Sequence, residues 1–309
     1  MIAAQPAARA RLLLVDDESR ILLSLKAIFR ADYDVVTANG GDAALAALKA
    51  ESFTVVVSDQ RMPGMTGVEV LRTAREIQPQ AIRILLTGYS DLNAIVSSIN
   101  EGEIFRFVTK PWVNSELRET VRSAVEAASI EYVQAPQATP GPEQNTHYNG
   151  VGVLVLDDDT EVAIALRAAV DSEREVFSTD SVDAALEVLR SNEVGVMIVD
   201  MNIGEQSVTP LLGVLRQYYP ALVVIVTTVR ADASQSILLI NHGQVFRLLE
   251  KPVGVSLLRG TVNIASRRHE TLRQYPSQMQ RIAADTAPLL KAAERSGLLD
   301  RVRRLLRWG

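Results

Sequence analysis

Asp16, Asp17, Asp59, Thr87 and Lys110 could do chemistry together, and the chain carries this set twice. Asp157, Asp158, Asp200, Thr228 and Lys251 repeat it in order, without a gap, at a constant offset of 141 residues. Each lysine is followed by a proline, Pro111 and Pro252. Three carboxylates brought together repel one another, and a divalent cation removes the conflict. Ligands that are all oxygen select a hard ion, which makes Mg²⁺ the expected cofactor. Asp59 is then the natural phosphoryl acceptor. Asp16 and Asp17 would hold the metal, Thr87 would donate to a phosphoryl oxygen, and Lys110 would neutralise phosphoryl charge. Asp200 is the second candidate acceptor, with Asp157 and Asp158 for the metal and Thr228 and Lys251 in the other two roles. A lone Asp pair after a strand usually caps a helix, and a lone Thr at a strand end usually reflects β propensity. The conjunction of five residue types, repeated at one offset, points to a site.

The flanking sequence shows how these residues could be brought together. In the first unit short apolar runs at 12–15, 35–38, 55–58, 82–86 and 105–108 alternate with stretches of helical period at 21–29, 43–48, 68–77, 94–99 and 117–125. Such alternation predicts a parallel sheet covered by helices on both faces. Right-handed crossovers then favour a flavodoxin-like (βα)5 fold. Each candidate residue falls at the carboxyl end of a run, where open parallel sheets place their ligands. The second unit repeats the plan with strands expected at 153–156, 176–178, 196–199, 222–227 and 246–249. The fold class is therefore α/β, with two five-stranded parallel sheets and a helical tail.

The 309 residues suit two domains, and an apolar fraction of 47% suffices for two cores. The absence of cysteine excludes disulfides and thiolate chemistry. No signal peptide or span of ~20 apolar residues is apparent, and a cytoplasmic protein is expected. The expected division is residues 1–133, a linker at 134–149 containing His147, a second domain at 150–268, and a tail at 269–309.

Four stretches make the chain similar to the receiver domain of two-component response regulators. They are Leu13-Leu14-Val15-Asp16-Asp17-Glu18, Val57-Ser58-Asp59-Gln60-Arg61-Met62-Pro63-Gly64-Met65-Thr66-Gly67, Leu86-Thr87-Gly88 and Thr109-Lys110-Pro111-Trp112. The first unit most resembles receivers attached to cyclic-di-GMP phosphodiesterase or NtrC-like outputs. The resemblance implies that Asp59 takes phosphate from a sensor histidine kinase or phosphotransfer protein. It also implies that the Arg61 backbone carbonyl contributes to the metal and that Phe107 is the switch aromatic. In the second unit these positions are Asn202 and Leu248. There the loop after the acceptor departs from the pattern, since Met62-Pro63-Gly64 becomes Ile203-Gly204-Glu205 and Gly67 becomes Val208. Arg61 and Tyr89, two residues after Asp59 and Thr87, are candidates to slow loss of the phosphoryl group.

From Ala265 onward ten Lys and Arg face four Asp and Glu, although the whole chain has a net charge of −5. Leu298, Leu299, Val302, Leu305 and Leu306 share one helical face. Such a helix can pack on its own domain, self-associate in a homodimer, or dock on a downstream protein partner. Nucleic-acid binding and membrane association are disfavoured, because no reader motif is present and one short helix is a weak anchor. His269, beside Glu270, invites a phosphotransfer reading, although the tail is short for the bundle this requires. The expectation is a phosphorylation-switched regulator with no recognised output domain, signalling through protein contacts. Its only chemistry would be self-phosphorylation and autodephosphorylation. A phosphate sink or relay, or receivers gating an effector in the tail, are the alternatives.

Overall fold

The computed structural model describes residues 9–88, 104–130, 151–229, 233–243, 245–281 and 286–307. The helix expected at 94–99, Tyr89, the linker with His147, Trp308 and the side chains of Leu305 and Leu306 lie outside the described residues. The chain divides into two compact units, residues 1–132 and 133–309.

The first unit contains strands β1 (Arg11–Asp16), β2 (Asp34–Asn39), β3 (Val55–Asp59), β4 (Ile82–Thr87) and β5 (Arg106–Thr109). Helices α1 (Ser19–Phe29), α2 (Gly41–Ala50), α3 (Gly67–Ile77) and α4 (Asn114–Ser129) are interleaved with them. The sheet order is β2-β1-β3-β4-β5, and every pairing is parallel. Leu12, Leu13, Leu14 and Val15 have no exposed surface, because helices cover both faces. Leu12 and Leu14 join Leu25, Phe29, Val57, Ile84, Leu117 and Val121 in one core. Thr66 and Glu69 close a capping box at the start of α3, fixing where that helix begins beside the acceptor strand.

The second unit repeats the arrangement with β6 (Gly152–Leu156), β7 (Val176–Thr179), β8 (Val194–Asp200), β11 (Val223–Thr228) and β12 (Arg247–Glu250), ordered β7-β6-β8-β11-β12. Its helices are α5 (Glu161–Ala169), α6 (Val182–Ser191), α7 (Thr209–Tyr218), α8 (Ala233–Gly243) and α9 (Val255–Gln274). A small antiparallel hairpin, β9 (Asn202–Ile203) with β10 (Gln206–Ser207), lies in the loop after β8 and was not foreseen from the sequence. The hairpin turns on Gly204-Glu205, with Gly204 at φ 58°. A glycine at the first turn position is what a two-residue hairpin loop favours.

The tail forms α10 (Ser277–Arg281), α11 (Ala287–Arg295) and α12 (Leu298–Arg307). Pro276 stops α9, and Gly297, at φ 71°, separates α11 from α12. Residues 268 and 269 both lie inside α9, so the boundary expected between them falls within a continuous helix. The tail is seated on its own unit. Leu289 and Ala293 of α11 are buried, and a Cβ at Gly213 of α7 would stand 2.7 Å from the Leu289 Cβ. Only a glycine lets the two helices approach that closely. The matching position in the first unit is the exposed Arg72. Leu298, Leu299 and Val302 are also buried, and Arg301 of α12 pairs with Asp183 of α6. Of the readings open for this helix, packing on its own domain is the one that Leu298, Leu299 and Val302 take in the second unit.

Candidate functional site

Register delivers the first site. Val15 pairs with Ser58, Asp59 with Leu86, and Thr87 with Thr109. The residues that end β1, β3, β4 and β5 therefore line one edge of the sheet. Carboxylate oxygens of Asp16, Asp17 and Asp59 all lie within 4.8 Å of one another. Lys110 Nζ reaches 2.6 Å from Asp59 Oδ1 and 3.1 Å from Asp16 Oδ2. The Lys110–Pro111 peptide is cis, as is Lys251–Pro252.

Local backbone holds the acids in place. The Glu18 amide donates to Asp16 Oδ1 at 2.9 Å, and the Arg61 amide donates to Asp59 Oδ2 at 3.0 Å. Gly67 is needed at the start of α3, since a Cβ there would stand 2.0 Å from the Asp59 carbonyl oxygen. The Gly67 amide bonds the Gln60 carbonyl at 3.1 Å, tying α3 to the acceptor strand. Thr87 is fully buried and donates its hydroxyl to the Gly88 carbonyl at 3.2 Å. Phe107 is 2% exposed and sits among core residues.

The electrostatics follow from burial. Burial pushes the Asp59 carboxyl above its ordinary range; the hydrogen bond and charge of Lys110 pull it back, Asp16 adds to the rise, and the net is upward. Burial pulls the Lys110 ammonium down, but Asp59 and Asp16 prevail and hold it above its ordinary value. Three carboxylates against one ammonium leave negative charge in a half-closed, oxygen-only site. That donor set fits a hard divalent cation such as Mg²⁺, with Asp16, Asp17 and Asp59 the residues that could hold it.

The second site is assembled by the same register, with Asp200 opposite Thr227 and Thr228 opposite Glu250. Lys251 Nζ lies 2.7 Å from Asp157 Oδ2 and also pairs with Asp200. Burial pushes Asp157 upward against the pull of Lys251, and Lys251 stays raised by Asp157 and Asp200 despite its burial. The Asn202 amide donates to Asp200 Oδ1 at 2.9 Å, matching Arg61 and Asp59. Thr228 and Leu248 are buried. Asp158 is placed differently. It is exposed, and its Oδ2 accepts from the Gly204 amide of the hairpin turn at 2.9 Å. Val208, where the first unit has Gly67, carries a Cβ that cannot approach the acceptor strand as Gly67 does. Helix α7 accordingly starts one position later than α3 does.

His269 is placed in the core. Its ring packs on Gly195, its Nδ1 is 2.8 Å from the Ala221 carbonyl, and burial holds it below its ordinary pKa. It is 6% exposed, which corrects the phosphotransfer reading: no incoming phosphoryl group reaches it in this fold. Sequence reasoning missed Gly204, Gly213 and the structural role of Gly67. The replacement of Pro63 by Gly204 was visible, but not where the new amide would point.

A family model described as "Response regulator receiver domain" matches residues 12–122 and 153–263. The chain is 41% identical over 123 residues to "Hydrogenase transcriptional regulatory protein HoxA" of Cupriavidus necator, covering 40% of this chain and 26% of that one. The protein of the same name from Bradyrhizobium diazoefficiens is 30% identical over 175 residues, 55% of this chain and 34% of that one. "DNA-binding transcriptional regulator NtrC" of Salmonella typhimurium is 35% identical over 113 residues, 36% of this chain and 24% of that one. The chain thus spans between about a quarter and a third of the length of these curated relatives. Among the described residues no helix is long and apolar enough to cross a membrane.

Proposed function

The chain belongs to the response regulator receiver domain family, and we propose that it is a phosphorylation-switched signalling protein whose first unit accepts a phosphoryl group on Asp59. The observation that carries this reading is the Lys110 ammonium, 2.6 Å from Asp59 Oδ1 beside two further carboxylates at the carboxyl edge of a parallel sheet. The donor is a phosphohistidine on a sensor histidine kinase or phosphotransfer protein, the kind of partner a receiver implies. An Asp59 carboxylate oxygen forms the O–P bond as the P–N bond to the donor imidazole breaks. The electron pair leaves with the imidazole nitrogen, which is then protonated from solvent.

This chain's own residues position the reaction and absorb its charge. Lys110 holds the acceptor oxygen and balances the added phosphoryl charge. Thr87, one strand away, exchanges its bond to the Gly88 carbonyl for one to a phosphoryl oxygen. Phe107, on the neighbouring strand β5 and opposite Leu85, repacks with that change. Asp16, Asp17 and Asp59, with the Arg61 carbonyl, are the residues that would hold Mg²⁺. When bound, the ion supplies positive charge that lets anionic donor and anionic acceptor approach.

The output is a protein contact made in response to phosphate on Asp59, and the site of action is the cytoplasm. Intact-mass measurement after incubation with acetyl phosphate and Mg²⁺ tests the reading. Wild type should gain a phosphoryl group that Asp59→Ala lacks. A gain that survives in Asp59→Ala, or no gain with either acetyl phosphate or a phosphorylated kinase, would overturn it.

A further inference from the structure

The two sites share the Asp-Asp pair, the acceptor Asp, the Thr and the Lys, and differ in the loop that follows the acceptor. In the first unit the turn after the acceptor is Met62-Pro63-Gly64, with the positive φ, 79°, on Gly64. Position 63 is a proline and has no N–H to offer. In the second unit the positive φ, 58°, falls one position earlier on Gly204, and the chain closes into the β9–β10 hairpin. That turn points the Gly204 N–H at Asp158 and bonds its Oδ2 at 2.9 Å. Asp17 is half-buried and within 4.8 Å of its two partners, whereas Asp158 is exposed and bonded to the hairpin turn.

The charge balance changes with it. In the first site one ammonium faces three clustered carboxylates. In the second, Lys251 bridges Asp157 and Asp200, and Asp158 has left the cluster for a donor of its own. The drive to admit a divalent cation is correspondingly smaller. One oxygen of the ligand that would complete the site is already held by the hairpin, and among the described residues Asp158 forms no cluster like that of Asp16, Asp17 and Asp59. The residues of the second site therefore do not fit Mg²⁺ as those of the first do.

We propose that the second unit is a locked copy that neither loads Mg²⁺ nor accepts phosphate on Asp200, and that the Gly204 amide is the lock. The chain then has one switch and one fixed companion. This rests on the reading of the first site as the working reference.

The test counts Mn²⁺, a spectroscopic stand-in for Mg²⁺, bound to the full chain by electron paramagnetic resonance. Wild type should bind one ion, lost in Asp17→Ala and retained in Asp158→Ala. Exchanging the loop for that of the first unit (Ile203→Met, Gly204→Pro, Glu205→Gly) removes the amide and moves the positive-φ glycine back to position 205. Proline at 204 alone would be strained at the present φ, so the triple change is needed. The exchanged chain should bind a second ion and gain a second phosphoryl group, mapped to Asp200 after acetyl phosphate treatment. Two ions on wild type, or phosphate on wild-type Asp200, overturn the proposal. An exchanged chain that melts as cooperatively as wild type but gains neither overturns the role of the amide. Should the exchanged chain not fold, the wild-type counts still decide. Loss of phosphate from Asp59 alone would strike the reading of the first site and leave this one standing.

Discussion

Replacing Lys110 with methionine keeps most of the side-chain stem and removes the ammonium from between two nearly buried acids. Asp16 and Asp59 side chains are 1% and 7% exposed, and Lys110 Nζ is 3.1 and 2.6 Å from them. At an effective dielectric constant of about 20, those separations correspond to gross attractions of about 5 and 6 kcal/mol. Most of this offsets the cost of burying the charges, so the expected net loss is that of breaking a buried pair, about 3–5 kcal/mol. The loss should depend on pH with a definite sign. Without the ammonium, Asp59, already pushed upward by burial, rises further beside Asp16. A carboxyl whose folded pKa exceeds its unfolded value costs stability above the folded pKa. That cost disappears as pH falls through the folded pKa toward the unfolded one. The deficit should therefore shrink as pH falls from about 8 to about 5. Millimolar Mg²⁺ should also shrink it, by restoring positive charge among the carboxylates. Trp112, whose ring centroid is 6.0 Å from the ammonium, reports the unit by fluorescence in urea once Trp308→Phe removes the second tryptophan. A deficit equal at both pH values and unmoved by Mg²⁺ would refute the claim that these carboxylates face one another.

Three further substitutions probe the supports of the two units. Gly67→Ala places a Cβ 2.0 Å from the Asp59 carbonyl oxygen. It should cost about 1–3 kcal/mol in urea titration and slow labelling of Asp59 by acetyl phosphate; normal labelling would show that α3 need not sit so close. Leu289→Ala removes a side chain that is 1% exposed. It should cost the second unit about 2–5 kcal/mol and expose the tail to protease, with Asp59 labelling unchanged; a tail equally resistant in the mutant would contradict its seating on α7. His269 is held neutral by burial, with Arg273 opposing its protonation. Its contribution to stability is complete above its unfolded pKa of about 6.5 and is lost as pH falls below that toward the folded pKa. His269→Gln should flatten that part of the stability profile, and an identical profile would remove His269 as its source.

The strand ends were legible in the sequence for a physical reason. A strand buried on both faces is mostly apolar along its length, so the polar residue that closes each run, Asp16, Asp59 or Thr87, marks where it leaves the core. One sheet order then brings those ends together. Pro276 and Gly297 mark their breaks equally plainly, one lacking an amide hydrogen and the other adopting a positive φ. The seat of the tail was not legible. It depends on Gly213 facing Leu289, a pairing across 76 positions that no local pattern announces. The boundary placed at residue 269 cut through α9 because no change of period shows there, while Leu272 still joins the second unit's core and His269 still packs on Gly195.

The changes in the second unit can be read as one change with several consequences. At position 67 a Cβ would stand 2.0 Å from a backbone oxygen of the acceptor strand, so a side chain there requires the neighbouring backbone to shift. Val208 occupies that position in the second unit, keeps its amide bonded to the Met201 carbonyl at 3.1 Å, and is buried. With the bond kept and the Cβ accommodated, the helix begins one residue later, and the preceding segment must take another course. The proline, which cannot adopt the positive φ of that turn, is replaced by glycine, and that course becomes a two-residue turn. The direction of the Gly204 amide follows from the turn, and Asp158 lies within its reach. A valine at the foot of one helix is thereby linked to the position of a carboxylate 50 residues earlier in the chain. Restoring glycine at position 208 within the loop exchange should consequently raise the Mn²⁺ affinity of the second site beyond that of the loop exchange alone, because it returns the helix as well as the turn to the first unit's geometry.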